Sequence, residues 1–136
     1  SEMCIRDRTG VSDMVVKRLG FIPPSEVEFY FAAADVVVLP YKFFDSQSGV
    51  GTLALRYRKP LIVTMVGGLP ELVKDEVAIV KPNDPEGLAE RIVHVLEDEQ
   101  ILRRLSADSE MLANRYSWNN ISKRLIEVYT ECLMSK

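Results

Sequence analysis

The feature that most constrains the fold of this chain is the alternation of short apolar-rich runs with segments of helical period. The apolar-rich runs lie at residues 15–21, 36–39, 61–64 and 78–80. Such runs, when they alternate with helical segments, are typical of β-α-β units, whose strands pair in parallel. The run at 36–39 has no polar residue, which predicts a strand buried on both faces. The sequence therefore predicts an α/β fold built on a parallel sheet.

Two helices are predicted between these strands. Ser25 is followed three residues later by Glu28, a predicted capping box that starts a helix extending to residue 34. A second, shorter helix is predicted over residues 49–57. The Gly-Gly pair at residues 67–68 predicts a tight turn before a short helix, with a close approach of the backbone to a ligand as the alternative.

The chain after the last predicted strand is expected to be wholly helical. Asp84 followed by Pro85 is a helix start signal, because proline fits the first helical turn. Two more helices follow, and Ser117 is predicted to cap the last. The buried stripes are predicted to be Leu88, Ile92, Val95 and Leu96 on the first of these helices, Ile101, Leu105 and Leu112 on the second, and Trp118, Ile121, Leu125, Val128, Tyr129 and Cys132 on the third.

Composition narrows the class of protein. Apolar residues make up 47% and charged residues 27% of 136 residues, which is typical of a globular protein and excludes a disordered tail, a fibre and a membrane span. The net charge is −3, without a basic block, so nucleic acid is not an expected partner. Cys4 and Cys132 have no metal-site spacing and are expected to be unpaired thiols in a reducing compartment. We therefore expect a cytoplasmic location.

Residues 1–9 are expected to be a non-native or disordered leader, and residues 10–136 a partial domain. The first eight residues have no apolar period and resemble translated adaptor sequence at the end of an open reading frame. If they are adaptor sequence, the chain is a piece of a longer protein. A frayed natural terminus is the alternative.

A polar loop after the second apolar run is the strongest candidate site. It follows the carboxyl end of a predicted parallel strand, where open α/β sheets bind ligands. Its glycines would let a ligand approach the backbone, and the helix start that follows offers unpaired N–H groups for a phosphate. The alternative is a polar loop capped by Ser48, without a ligand. The candidate residues are Asp45, Ser46, Gln47, Ser48, Gly49, Val50, Gly51 and Thr52.

Other residues that could carry chemistry have structural interpretations. His94 is the single histidine of the chain and is predicted to be a surface or boundary residue, which makes histidine catalysis unexpected. Glu71, after the Gly-Gly turn, is expected to cap or pair locally. The sequence contains neither a Ser/His/Asp set nor a metal-ligand cluster.

Six pieces of the chain, in order over about a hundred residues, resemble one family. The stretch from Gly20 to Trp118 is similar to the second half of the C-terminal domain of a GT-B glycosyltransferase of the retaining group called family 4. The matching pieces are residues 33–40 (AADVVVLP), 46–50 (SQSGV), 59–64 (KPLIVT), 66–71 (VGGLPE), 80–84 (VKPND) and 116–118 (YSW).

The resemblance implies a fold and an activity. In that family a nucleotide-activated sugar lies between two Rossmann-like domains, and the C-terminal domain holds the nucleotide and the donor sugar. The implied fold is a Rossmann-like parallel sheet followed by C-terminal helices. The implied activity is a retaining hexosyltransferase in full-length form, which transfers a sugar from a UDP- or GDP-sugar to an acceptor.

The family usually carries two glutamates separated by seven residues and followed by alanine. Counted back from Lys59 and Pro60, the first falls at Asp45 and the second at Leu53, directly before Ala54. Asp45 keeps a carboxylate on a shorter arm. Leu53 has no polar group, so this sequence departs from the family at the residue that holds the ribose hydroxyls.

The resemblance also implies a place for each candidate residue. Ser48, Gly49, Val50 and Gly51 are expected at the donor sugar and diphosphate, mostly through their backbone, and Asp45 at a sugar hydroxyl. The nucleobase is expected to be bordered by Gly20, Phe21 and Ile22. No residue of this chain is assigned as catalytic, and no metal or other cofactor is expected.

The remaining partner predictions follow from the same resemblance. The family's phosphate-binding Arg and Lys, and its acceptor domain, belong to parts that this sequence does not contain. An N-terminal acceptor domain is therefore an expected partner, and the chain alone is expected to be inactive. Peripheral association of the full enzyme with a membrane is left open. Two alternative functions are a degenerate, non-catalytic nucleotide-sugar-binding module and a GT-B-like nucleotide-sugar epimerase.

Overall fold

A three-stranded parallel sheet organises the part of the chain that the computed structural model describes, residues 10–43, 45–46 and 48–134. The strands are β1 (Val37–Leu39), β2 (Leu61–Thr64) and β3 (Ile79–Val80), in the order β1-β2-β3. The register pairs Val38 with Ile62 and Val63 with Ile79. The predicted α/β fold with a parallel sheet is therefore confirmed.

Five helices accompany the sheet. They are α1 (Pro24–Ala33), α2 (Gly49–Arg56), α3 (Pro85–Glu97), α4 (Glu99–Arg115) and α5 (Trp118–Met134). Three short 3-10 turns complete the described elements, at Ser12–Met14, Leu69–Leu72 and Glu76–Ala78. The predicted short helix after the Gly-Gly pair is the second of these turns.

The core lies on both faces of β2. Because successive side chains of a strand point to opposite faces, Leu61 and Val63 pack on one side and Ile62 on the other. All four residues of β2 are buried. The first face carries Leu39, Ala54, Leu55, Leu61, Val63, Leu69, Leu72 and Leu112. The second carries Ile62, Ala78, Val80, Val95, Ile101 and Leu105.

Two helix starts in the second half of the chain behave as their sequences predict. The Asp84 carboxylate accepts a hydrogen bond from the Gly87 N–H at 2.9 Å and caps α3. The Ser117 hydroxyl accepts one from the Asn120 N–H at 3.4 Å at the start of α5. On α4 the predicted stripe of Ile101, Leu105 and Leu112 is buried. The caps and the apolar period of these helices are therefore features that local sequence predicts.

The strand predicted at residues 15–21 is wrong. This segment has no ladder hydrogen bonds in the structure, and the side chains of Val16, Leu19 and Phe21 are more than four-fifths exposed. A strand needs a neighbour for its N–H and C=O groups, and within the described ranges no strand lies beside it. Likewise Val37 and Val38 are only half-buried, because β1 lies at an edge of the described sheet rather than in its middle.

Two helix predictions need correction. α1 starts at Pro24 after Pro23, and no side chain caps it, so Ser25 is not the cap. The two prolines fix the backbone angles at this start instead. On α3, Val95 is buried but Leu96 is nearly half-exposed, because the core covers a narrower stripe than predicted.

The largest error concerns α5. None of its side chains is buried, including the predicted stripe from Trp118 to Cys132, and Trp118 is 86% exposed. The helix forms as predicted, but within the described structure no element covers its apolar face. His94 is exposed, as predicted. The predicted leader, residues 1–9, and Cys4 lie outside the described residues.

Candidate functional site

The carboxyl ends of β1 and β2 meet at one edge of the sheet, and a hydroxyl fixes how the chain leaves them. Thr64, the last residue of β2, is buried, and its Oγ1 lies 2.7 Å from the Tyr41 carbonyl oxygen and 3.3 Å from that of Leu39. A buried hydroxyl shared between two carbonyls holds the segment after β1 against β2. The Thr64 hydroxyl therefore fixes the position of the segment that leads from β1 toward α2.

Ser48 builds the start of α2. Its backbone is extended, its side chain is buried, and its Oγ accepts a hydrogen bond from the Gly51 N–H at 3.1 Å. The Ser48 carbonyl accepts two more, from the N–H of Thr52 at 2.9 Å and from the Thr52 hydroxyl at 3.1 Å. The Ser48 cap named in the alternative interpretation is present, and the buried Ser48 Oγ is engaged by the helix and not directed at solvent.

Two N–H groups remain available at this helix start. Among the described residues, the amides of Gly49 and Val50 have no hydrogen-bond partner, whereas that of Gly51 is used by Ser48. The N-terminus of a helix carries a partial positive charge, to which these amides contribute. The arrangement can hold an anion at Gly49 and Val50, but the Gly51 amide is not part of it.

The two glycines of this turn have different reasons to be glycine. A Cβ built on Gly51 would collide with Leu72 Cδ1 and come within 3.2 Å of Leu39 Cδ1, so Gly51 lets α2 pack on the core. A Cβ built on Gly49 meets nothing within 4 Å. The open space is therefore at Gly49, on the solvent side of the turn.

The other predicted residues of this loop fall into three groups. Asp45 and Ser46 are exposed on the segment before Ser48, and Val50 is exposed in the first turn. The Thr52 backbone and hydroxyl are bonded within the helix. Gln47 lies outside the described residues. The structure thus brings Ser48, Gly49, Val50, Gly51 and Thr52 together and leaves Asp45 and Ser46 beside them.

The residues predicted to border a nucleobase lie in a separate cleft. Gly20, Phe21 and Ile22 line a cleft of about 310 Å³ together with Lys17, Arg18, Leu19, Glu26 and Tyr30. None of the described residues from 45 to 52 lines this cleft. The structure does not join the two predicted parts of the site into one cavity.

The Gly-Gly segment is a turn. Gly67 has a φ of +50°, a backbone conformation that side chains disfavour, and the 3-10 turn Leu69–Leu72 that follows packs against α2. This confirms the turn prediction. Glu71 is exposed in that turn, and its carbonyl accepts a hydrogen bond from the Tyr116 hydroxyl at 3.3 Å.

Sequence reasoning missed two lysines at the same edge of the sheet. Lys42 and Lys81 line a cleft of about 490 Å³ beyond the ends of the three strands, with Pro40, Thr64, Asn83, Asp84, Pro85 and Leu88. Within the described ranges neither lysine is in an ion pair. Each lysine follows closely after the end of a strand. This position in the sequence is the signal from which both could have been predicted as candidate ligand-binding residues.

Two other kinds of feature are absent from the described residues. No group of three or more His, Cys, Asp or Glu side chains in that part of the chain could hold a metal ion. No helix of the described structure has the length and apolar character needed to cross a bilayer.

The chain resembles known proteins over most of its length. The sequence profile of a family described as "Glycosyl transferases group 1" matches residues 2–98. An uncharacterised glycosyltransferase of Methanocaldococcus jannaschii is 33% identical over 117 residues, 82% of this chain and 29% of that protein. D-inositol 3-phosphate glycosyltransferase of Corynebacterium urealyticum is 30% identical over 112 residues, 79% of this chain and 26% of that protein.

A solved structure supports the same fold. The crystal structure of Anabaena Alr3699/HepE in complex with UDP superposes with a TM-score of 0.81 at 24% identity, and the match covers 96% of this chain and 36% of that one. The chain thus spans less than two-fifths of the length of the proteins it matches. On the profile match over residues 2–98, the chain belongs to the glycosyl transferases group 1 family.

Proposed function

We propose that the protein to which this chain belongs transfers a hexose from a nucleotide-sugar donor to an acceptor, with retention of configuration. In this proposal the chain is part of the donor-binding domain. Family membership supports sugar transfer as the class of reaction. A UDP complex of a protein with the same fold supports a nucleotide as part of the ligand.

The observation that carries the proposal is the open start of α2. Among the described residues, the Gly49 and Val50 amides are available, and a Cβ built on Gly49 meets no atom within 4 Å. The leaving group of a nucleotide-sugar transfer is a diphosphate, whose negative charge increases as the glycosidic bond breaks. Amide groups and a helix dipole directed at that charge stabilise the transition state more than the ground state.

Positive side chains at the same edge add to this field. Lys42 and Lys81 line the cleft beyond the strand ends, and neither has an ion-pair partner in the described structure. These two lysines place positive charge on this chain. The family's phosphate-binding Arg and Lys are expected in a part of the protein that this sequence does not contain. We propose that the diphosphate is held by amides and lysines, without a metal ion.

The remaining roles are assigned by resemblance. Asp45 would accept a hydrogen bond from a donor-sugar hydroxyl, with Ser46 and Gln47 beside it. Gly20, Phe21 and Ile22 would border the base of a UDP or GDP group. Leu53, one helical turn after Gly49, cannot form a hydrogen bond with the ribose. We therefore expect this chain to bind the nucleoside more weakly than a family member with glutamate at this position. A separate acceptor domain and a cytoplasmic location complete the proposal.

The proposal is tested by titrating UDP and GDP into the chain while amide resonances are recorded by NMR. We expect the largest shift changes at Gly49 and Val50, because these amides would bond the diphosphate. Gly49→Val should weaken binding at least about tenfold, since the side chain fills the approach to both amides. Gly49→Ala is the matched control, with a smaller side chain in the same open space and a smaller loss.

Thermal melting of both variants separates loss of binding from loss of folding. If Gly49→Val folds and binds either nucleotide as tightly as the parent chain, the start of α2 is structural and the proposed site is wrong. In the full-length enzyme the same substitution should cost on the order of 2 to 4 kcal/mol of transition-state stabilisation. Leu53→Glu should fold normally and strengthen nucleotide binding if the ribose lies beside α2.

A further inference from the structure

The Thr64 hydroxyl connects β1 to β2 beyond the point where their ladder stops. The last residue pair of that ladder is Leu39 with Val63, and Pro40 follows, which has no N–H group to continue it. The Thr64 Oγ1, on a residue that is 4% exposed, lies 2.7 Å from the Tyr41 carbonyl oxygen and 3.3 Å from that of Leu39. Because a hydroxyl has one proton, it donates mainly to the nearer carbonyl, that of Tyr41.

The Tyr41 carbonyl belongs to the same peptide group as the Lys42 N–H. Because a peptide group is planar, a bond that fixes its oxygen also fixes the direction in which the chain enters Lys42. The Thr64 hydroxyl thus sets the point from which the Lys42 side chain starts. Without that hydroxyl the peptide group would be able to turn about the single bonds on either side of it.

A second lysine is held on the other side of β2 in a similar way. The Met65 N–H donates to the Val80 carbonyl at 2.8 Å, and this carbonyl shares a peptide group with the Lys81 N–H. The end of β2 therefore holds one lysine-bearing peptide group on each side, one through a side chain and one through its own backbone. Lys42, Thr64 and Lys81 all line the cleft of about 490 Å³ beyond the strand ends.

We propose that Thr64 is a positioning residue, which holds Lys42 in this cleft with Lys81 so that both ammonium groups bind the diphosphate of the donor. The proposal rests on the proposed function, because it takes that diphosphate as the ligand. Lysine binds phosphate as a point charge on a flexible side chain, so its effect at a site depends on where its backbone is held.

The charge of the cleft suits an anion. Lys42, Lys81 and Asp84 are its charged lining residues, so the lining carries a net positive charge. The Asp84 carboxylate is already engaged, since it accepts a hydrogen bond from the Gly87 N–H at 2.9 Å as the cap of α3. Both lysines are therefore needed to offset this carboxylate and attract a diphosphate.

The experiment measures binding of inorganic pyrophosphate, the probe for the diphosphate, to the whole chain by isothermal titration calorimetry. Lys42→Met and Lys81→Met should each weaken binding roughly tenfold, because each removes one positive charge. Thr64→Val should weaken it roughly fivefold, because valine keeps the β-branched shape but removes the donor to Tyr41. Thr64→Ser keeps the hydroxyl and should bind within about twofold of the parent chain.

A double-mutant cycle tests whether Thr64 acts through Lys42. If it does, adding Thr64→Val to Lys42→Met should cause no further loss, because the lysine that Thr64 positions is already absent. Adding it to Lys81→Met should still weaken binding roughly fivefold. Equal further losses in both backgrounds, or a Thr64→Ser variant as weak as Thr64→Val, would overturn the proposal.

Positioning is also measured without a ligand, so that this inference and the proposed function can fail separately. The backbone order parameter of Lys42, from NMR relaxation, should fall in Thr64→Val. It should stay unchanged in Thr130→Val, the matched control, whose hydroxyl bonds the Ile126 carbonyl on α5. An equally ordered Lys42 in Thr64→Val would contradict the inference and leave the proposed function untouched.

Two further outcomes are decisive. If the parent chain does not bind pyrophosphate, or neither lysine variant changes its binding, the lysine cleft is not a diphosphate site and the inference is wrong. The nucleotide titration at Gly49 then decides the proposed function by itself. Thermal melting checks folding, and Thr64→Ala replaces Thr64→Val if valine unfolds the chain. If neither variant folds, Thr64 serves stability and not positioning, which also overturns the inference.

Discussion

Helices α4 and α5 follow one another in the chain, have 17 residues each and are both amphipathic. Only α4 has buried side chains. α4 buries Ile101, Leu105, Ser109 and Leu112, whereas α5 buries none of its residues. The comparison shows that an apolar stripe indicates that a helix packs against something. It does not indicate which part of the molecule the helix packs against. For α4 the partners are α2, α3 and β2 of the same chain. For α5 the partner of the apolar face lies outside the described structure.

Polar contacts differ between the two helices in the same way. α4 is tied to distant segments, since the Ser106 and Ser109 hydroxyls donate to the Arg58 and Lys59 carbonyls at 2.6 and 2.8 Å. Arg104 pairs with Asp75 at 2.7 Å. On α5, the Ser122 and Thr130 hydroxyls donate to carbonyls of the same helix, and the Asn120 side-chain amide reaches only the Asn114 carbonyl at the end of α4. Docking of α4 is thus specified by its own side chains, which bond two backbone carbonyls and one carboxylate of other segments.

The largest expected difference is in the hydrophobic stripes. Leu105→Ala should lower the free energy of unfolding by about 3 kcal/mol, because Leu105 is 3% exposed in the second core cluster and its removal leaves a cavity. Leu125→Ala, at 48% exposure on α5, should change it by less than about 0.5 kcal/mol. Urea denaturation measures both. Equal losses would mean that α5 is packed as α4 is.

A smaller difference is expected for the hydroxyls. Ser109→Ala should cost about 1 to 2 kcal/mol, because the Lys59 carbonyl would lose its partner beside a buried position. Ser122→Ala removes an exposed bond to the Asn119 carbonyl and should cost less than about 0.5 kcal/mol. The same denaturation experiment checks the pair. A negligible effect of Ser109→Ala would show that hydroxyl contacts do not help to dock α4.

The smallest expected effect is a gain in stability from a substitution at Arg58, in the segment that α4 contacts. Arg58 has a φ of +55°, in the left-handed region, and its carbonyl receives the Ser106 bond. Arg58→Gly should relieve the backbone and raise the free energy of unfolding by about 0.5 kcal/mol. The exposed ion pair with Glu110, at 3.1 Å, is lost at little cost. Asn83→Gly, at a φ of +60°, is the control and should gain less, because asparagine tolerates this region. A loss of stability in Arg58→Gly would refute the strain argument.

Local sequence predicted those parts of the fold that depend on interactions between residues close together in the chain. The β2 strand, the Asp84 and Ser48 caps and the buried face of α4 all follow from residue type and period. The strand at residues 15–21 and the burial of α5 could not be predicted, because each depends on a neighbour that lies far away in sequence or outside the described structure. A period shows which face is apolar but not what will cover it.

The candidate site shows the same division. The sequence located the start of α2 and its serine cap, since both are properties of a few adjacent residues. It did not predict that Gly51 must be glycine for α2 to pack, because the collision of a Cβ there involves Leu72 and Leu39, which only the folded core brings close. Lys42 and Lys81 were missed for a related reason. They line one cleft only because parallel strands place their carboxyl ends at one edge.

The contact between Ser48 and Gly51 has a consequence for the thermodynamics of ligand binding. Because Ser48 is buried and its hydroxyl already holds the Gly51 amide, the first turn of α2 has its backbone angles set in the free protein. An anion that reached Gly49 and Val50 would find this turn already ordered and would cause little further loss of conformational entropy there. The start of α2 is in this sense preorganised, with rigidity drawn from the core.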